Sequence, residues 1–449
     1  MGDTLAPLAE AGAGSVDATG AATGSGAFGG AHAAAITIAE TRARPLAFDM
    51  NPEYRVTATI AKSDGKDLTA AKPRISNRLV AIDLMRGFVM VLMAVDHSSG
   101  QFNRGRVMAD GAFSWHAGTP LPTAQFLTRW ITHLCAPSFV FLAGTALALS
   151  TGRRLGGGNG TREGQASIDR HLLLRGLFIA SCELVPSLFW MPRGKYLFQV
   201  LYAIGSSYLF MIPLRRLPGA LLAALALAVL VFGEALVRAA GWGGSGAPGS
   251  TPAVAVLLLV PGSVGRVFVA YPTLYWLAFM ALGFVFGQWL ERRPDPARIR
   301  RFLVLSGALS LGLFAVVRGA NAYGNMGILR DGPALVQWLH VSKYPPSLSF
   351  AALELGLAAL VLALLFALEH PVTSFFGRFL LVFGRTPMFF YLLHIPLLAL
   401  TAKALGVEES LGLGAAYGFA ALAVLVLYPA CVWYGAYKLA HPTGIARYV

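Results

Sequence analysis

The chain has 449 residues, 56% of them hydrophobic and only 13% charged, with 50 glycines and 25 prolines. Soluble globular chains carry about 25% charged residues, so the composition excludes a cytosolic enzyme and points to a polytopic membrane protein. Cys135, Cys182 and Cys431 are isolated thiols without paired spacing, which excludes a disulfide scaffold; no metal site is expected.

Residues 1–75 come first. The run from Met1 to Ala35 is almost entirely Ala, Gly, Ser and Thr, cannot bury a core, and is expected to be disordered. This tail holds eight acids and seven bases, so the whole positive excess, 29 bases against 14 acids, lies after Ile75. No basic segment followed by an apolar run occurs near Met1, so no secretory signal peptide is expected. The domain reading is a cytoplasmic tail over 1–75 and a transmembrane domain over 76–449.

From Arg78 onward the apolar runs approach the ~20 residues that a membrane-spanning helix needs. Ten spans are predicted, at 79–97, 126–149, 171–191, 196–214, 218–238, 271–290, 302–317, 349–368, 379–401 and 412–434. The fold class is therefore all-α, a polytopic bundle of about ten transmembrane helices. Residues 98–125, 239–270 and 318–348 are expected as shaped surface loops. Lys and Arg mark loops retained in the cytoplasm; 18 fall on the side of the N-terminus and 10 on the other. Both termini are thus expected inside. The net charge of +14 reads as an orientation signal, and nucleic acid is not an expected partner.

Ionisable side chains are costly in hydrocarbon and usually face a cavity or a partner, so they mark candidate sites. On the first span Asp83 and Arg86 are three residues apart, and His97 returns to their face about three turns later. Arg86 is read as lining the entry of an anionic substrate, or as simply neutralising Asp83. Asp96 and His97 lead into a loop with Phe113-Ser114-Trp115-His116, and Arg129 and His133 open the second span. Histidine suits proton exchange near neutrality, and a neighbouring carboxylate fixes its tautomer. The ninth span carries Arg385 and His394, with Pro387 and Pro396 expected to break or kink it. Before the eighth span, Lys343 and Tyr344 precede a double proline that would hold them near the external surface.

Five segments together, RLVAIDLMRGFVMVLMAVDH, FLTRWITHLCAPSFVFLAGTALALS, FQVLYAIGSSYLF, VSKYPPSLSF and GRTPMFFYLLHIPL, resemble the bacterial relatives of heparan-α-glucosaminide N-acetyltransferase, a family of transmembrane acyltransferases. The similarity runs from Asn77 to Tyr437. It implies transfer of an acyl group, chiefly acetyl, from cytoplasmic acetyl-CoA to an amine or hydroxyl of an extracytoplasmic sugar or glycan. It also implies residence in a bacterial inner membrane. His116 falls where the family has its proposed catalytic histidine, whereas Asp96 stands where the lysosomal enzyme has Asn.

The resulting assignment makes His116, Asp96, His97 and His394 catalytic, with Arg86, Arg385 and Asp83 binding acyl-CoA. Arg129, His133, Lys343 and Tyr344 bind the acceptor, and Arg129 is a candidate oxyanion donor. His116 acts as general base or as an acyl-carrying nucleophile. Expected partners are acyl-CoA, an envelope sugar or glycan and the bilayer, and a homo-oligomer is allowed for. The competing class is a transporter or flippase of an anionic lipid or sugar, against which stand the lack of an inverted repeat and polar residues gathered towards one surface.

Overall fold

The structure, a computed structural model, describes residues 76–156, 163–240, 251–292, 294–368 and 374–441. The predicted tail over 1–75 lies outside the described residues, as do residues 241–250 of the loop expected over 239–270. Fifteen helices follow one another among the described residues: α1 (Ser76–Phe102), α2 (Thr123–Ile131), α3 (Cys135–Leu155), α4 (Gln165–Cys182), α5 (Leu184–Trp190), α6 (Val200–Leu214), α7 (Gly219–Ala239), α8 (Ala253–Leu258), α9 (Thr273–Glu291), α10 (Pro296–Ala320), α11 (Leu335–Leu339), α12 (Leu348–Ala367), α13 (Phe375–Arg385), α14 (Pro387–Leu405) and α15 (Leu413–Ala440). Three-residue strands β1 (Tyr196–Phe198), β2 (Gly262–Val264) and β3 (Val267–Val269) form one small sheet in which β3 lies parallel to β1 and antiparallel to β2.

This is an all-α, multi-pass membrane protein. Among the described residues, eight helical segments are long and apolar enough to cross a bilayer: Thr123–Leu155, Gln165–Trp190, Gly219–Ala239, Thr273–Glu291, Pro296–Ala320, Leu348–Ala367, Pro387–Leu405 and Leu413–Ala440. The other two predicted spans are also helices. In α1, Asp83, Arg86 and Asp96 interrupt the apolar run, and α6 has 15 residues. The ninth predicted span divides at Thr386: α13 ends at Arg385 and Pro387 starts α14, where a missing N–H costs nothing. Pro396, in contrast, is carried inside α14.

Helix α1 is the hub, packed on α3, α12, α13, α14 and α15, while α3 pairs with α9, α4 with α6, and α10 with α12. Hydrocarbon offers no hydrophobic drive between helices, so close backbone approach through small residues holds such crossings. At the α1–α13 crossing a side chain on Gly384 would meet the Asp83 carbonyl oxygen at 1.8 Å, and one on Gly87 would meet that of Leu380 at 1.9 Å. The α3–α9 crossing uses Gly144 and Gly283 in the same way, against the carbonyls of Met280 and Phe141. Because the obstacle is backbone, Gly384→Val should cost more than the ~1–3 kcal/mol of ordinary overpacking. The expected result is a markedly lower thermal midpoint in detergent; an unchanged midpoint would mean that the helices separate freely here.

Two connecting loops do not stay at the surface. Residues 340–347 are buried throughout, and Ala109, Asp110 and Gly111 are buried with them. The loops bind each other through Lys343 N–H to the Asp110 carbonyl at 2.8 Å, Ala112 N–H to that of Tyr344 at 3.1 Å, and His340 Nε2 to that of Ala109 at 2.6 Å. The double proline was expected to hold Lys343 near the external surface. Instead the loop's polar backbone is satisfied by the facing loop, which lets both enter the protein.

Candidate active site

Arg129 is the centre of a buried network that α1, α2 and the two interlocked loops assemble. Its Nη1 donates to both carboxylate oxygens of Asp96 at 2.7 Å, while Nη2 and Nε donate to Asp110 Oδ2 at 2.7 and 3.0 Å. Nη2 also reaches the Tyr344 hydroxyl at 3.3 Å. Asp96 accepts further bonds from Thr132 Oγ1 and Arg106 Nη2, both at 3.0 Å, and Asp110 accepts from His133 Nε2 at 3.0 Å. Burial alone would push the Asp110 carboxyl up; the Arg129 guanidinium, then the His133 hydrogen bond, instead hold it below the ordinary carboxylate range. Burial keeps His340 below its usual value, so its neutral ring donates to Ala109.

Beside this network, His97 Nδ1 lies 2.6 Å from His394 Nε2, and His394 Nδ1 lies 3.0 Å from the Phe390 carbonyl. A carbonyl only accepts, so His394 carries its proton on Nδ1 and offers Nε2 as an acceptor. His97 must then donate from Nδ1, which leaves a lone pair on His97 Nε2. That nitrogen is 4.0 Å from Asp96 Oδ2. His97 and Asp96 keep 13% and 12% of their side-chain surface exposed. They line a cavity of about 30 Å³ together with Met93, Thr132, Cys135, Gln199, Val200, Tyr271, Lys343 and Tyr391. The Tyr391 hydroxyl is buried and has no hydrogen-bond partner among the described residues.

A second pocket of about 300 Å³ opens at the other end of α1, lined by Asp83, Arg86, Arg175, Arg385 and Lys438 among others. The Gly87–Gly384 crossing brings Arg385 beside α1. Arg86 donates to Asp83 Oδ1 at 3.2 Å and to the Leu142 carbonyl at 3.1 Å. Arg175 stands over the Tyr208 ring, 5.6 Å from its centroid, and its Nε is buried without a partner among the described residues. Four cations against one carboxylate, with an unsatisfied guanidinium nitrogen, suit a polyanion such as the phosphates of CoA.

The two cavities nearly meet. On α6, Leu201 lines the basic pocket and Val200 the other; on α14, Met388 lines the first and Tyr391, less than one turn on, the second. Arg86 and His97 are eleven residues apart on α1, about 16 Å.

A family model described as Heparan-alpha-glucosaminide N-acetyltransferase, catalytic, matches residues 78–316. The chain belongs to this family. No curated protein matches the sequence. Membership makes the chain a transmembrane acetyltransferase. The matched stretch carries Asp83, Arg86, Asp96, His97, Asp110, Arg129 and His133, and stops before Lys343, Arg385, Tyr391 and His394.

The fold thus brings Asp96, His97, His394, Arg129, His133, Lys343 and Tyr344 to one end, and Asp83, Arg86 and Arg385 to the other. It does not bring His116 to either: that side chain is exposed on the loop, and only its backbone is tied, to Thr119. The sequence reading passed over Arg175, although an arginine inside a predicted span is the signal it used elsewhere. It also passed over Asp110, Tyr271 and Tyr391, for which no local pattern exists. Among the described residues no group of His, Cys, Asp or Glu is set to hold a metal ion.

Proposed function

We propose that this chain moves an acyl group, in the first instance acetyl, from cytoplasmic acyl-CoA to an amino or hydroxyl group of an envelope sugar or glycan on the extracytoplasmic side of a bacterial inner membrane. The observation that carries the reading is the pair of cavities, a basic one at the Arg86 end and a histidine-containing one at the Asp96 end, separated on α6 and α14 by less than one helical turn. The excess of Lys and Arg favours the Arg86 end facing the cytoplasm, with both termini on that side and residues 1–75 as a cytoplasmic tail.

In this reading Arg86, Arg175, Arg385 and Lys438 hold the CoA phosphates, and the pantetheine arm runs along α1 towards His97. His97 Nε2 takes a proton from the acceptor nitrogen or oxygen as that atom attacks the thioester carbonyl. Lys343 and the Tyr391 hydroxyl stabilise the oxyanion, and Asp96 stabilises the imidazolium. Collapse of the tetrahedral intermediate breaks the carbon–sulfur bond, and His97 returns the proton to the leaving thiolate. His116, exposed and without a side-chain partner among the described residues, is less suited to this role than His97.

The test uses full-length protein reconstituted in vesicles with acetyl-CoA and amino sugars. Acceptor-dependent release of free thiol is expected; no release with any acyl-CoA or acceptor overturns the reading. Arg175→Gln should raise the KM for acetyl-CoA about tenfold with kcat nearly unchanged, as loss of one charge-assisted phosphate contact does. An unchanged KM removes Arg175 from the donor site.

A further inference from the structure

We propose that the crevice between the α10–α12 pair and the α3–α9 pair is a binding site for an anionic phospholipid, with one acyl chain inside and the phosphate on arginines at the mouth. The crevice has a volume of about 860 Å³ and mostly apolar walls, including Phe141, Leu142, Phe286, Phe302, Leu355 and Leu362. It extends from Ser138 on α3 to Arg292, beside the Gly152 level where Glu291 packs. Ser138 and Gly152 are 14 residues apart, about 21 Å of helix, a length suited to an extended lipid acyl chain.

Charge at the mouth decides the class of lipid. Arg292 lines the crevice itself, and Trp289 and Phe302 are shared with an adjoining hollow lined by Arg298 and Arg301. Among the described residues these three arginines make no side-chain ion pair and are exposed. Two acids stand near them: Asp295 caps α10 by accepting from Arg298 N–H at 2.9 Å, and Glu291, which also lines the crevice, packs its carboxylate over Gly152, so the three arginines still outnumber the carboxylates at the mouth. A tryptophan with unpaired arginines at the end of an apolar cleft matches the boundary between a phosphate headgroup and acyl chains. The site is separate from both reaction cavities and does not depend on the proposed chemistry.

Native mass spectrometry of the full chain in detergent, with equimolar phosphatidylglycerol and phosphatidylcholine, tests the proposal. Preferential retention of phosphatidylglycerol is expected, reduced about fivefold for each arginine removed in Arg298→Gln and Arg301→Gln. Ala359→Trp, which fills the crevice, should abolish that retention without changing the thermal midpoint of the lipid-free protein. Arg193→Gln with Lys195→Gln, an equal loss of charge elsewhere, should leave the preference intact. Equal retention of the two lipids, insensitivity to Arg298→Gln and Arg301→Gln, or an equal loss in the control pair overturns the site.

Discussion

His97→Ala is expected to lower acyl transfer by about two to four orders of magnitude, the usual contribution of a positioned general base. The reason is the hydrogen-bond chain. Phe390 carbonyl, His394 and His97 allow one arrangement of protons in the neutral pair, and it leaves the His97 Nε2 lone pair free beside the small cavity. The loss should fall on kcat, with the KM for acetyl-CoA little changed, because the basic pocket and the His97 cavity have no lining residue in common. His394→Ala removes the acceptor that orients His97, so a smaller loss is expected together with a displaced pH profile of kcat. A merely structural role for His394 would lower the thermal midpoint and leave the profile in place. A His97→Ala enzyme with full activity, beside an inactive His116→Ala enzyme, would move the chemistry to the exposed loop.

Arg129→Met is expected to cost about 3–5 kcal/mol of stability, the penalty for leaving buried charges without their partner. Arg129 is 6% exposed and is the group that joins Asp96 on α1 to Asp110 on the first loop. Without it, among the described residues, Asp110 keeps His133 as its side-chain donor, and Asp96 keeps Arg106 and Thr132. Arg129→Lys should recover little, since one ammonium cannot reproduce four donations in a fixed plane. The measurement is thermal unfolding in detergent, extended to the Arg129→Met/Asp110→Asn pair, which should be less unstable than the sum of its single changes. Strict additivity would show that the two groups act independently.

The sequence by itself determined the membrane class and the helical fold, because both depend on quantities that accumulate along the chain. Run length, charge content and the side on which Lys and Arg fall need no partner to be read. It also marked Asp83, Arg86, Asp96, His97, Arg129, His133, Arg385 and His394, since a charge or imidazole in an apolar run stands out wherever it is folded.

Only the tertiary structure decided which of these residues meet. His97 and His394 are separated by 297 positions and touch because α1 crosses α14; Arg175 and Lys438 join Arg86 because α4 and α15 close the same pocket. Lys343 and Asp110 become interior residues because two loops satisfy each other's backbone, a reciprocity that neither loop encodes alone. His116 shows the same limit from the other direction. Its motif drew attention to it, yet its position is set by a loop whose course depends on what the buried segment around Asp110 pairs with.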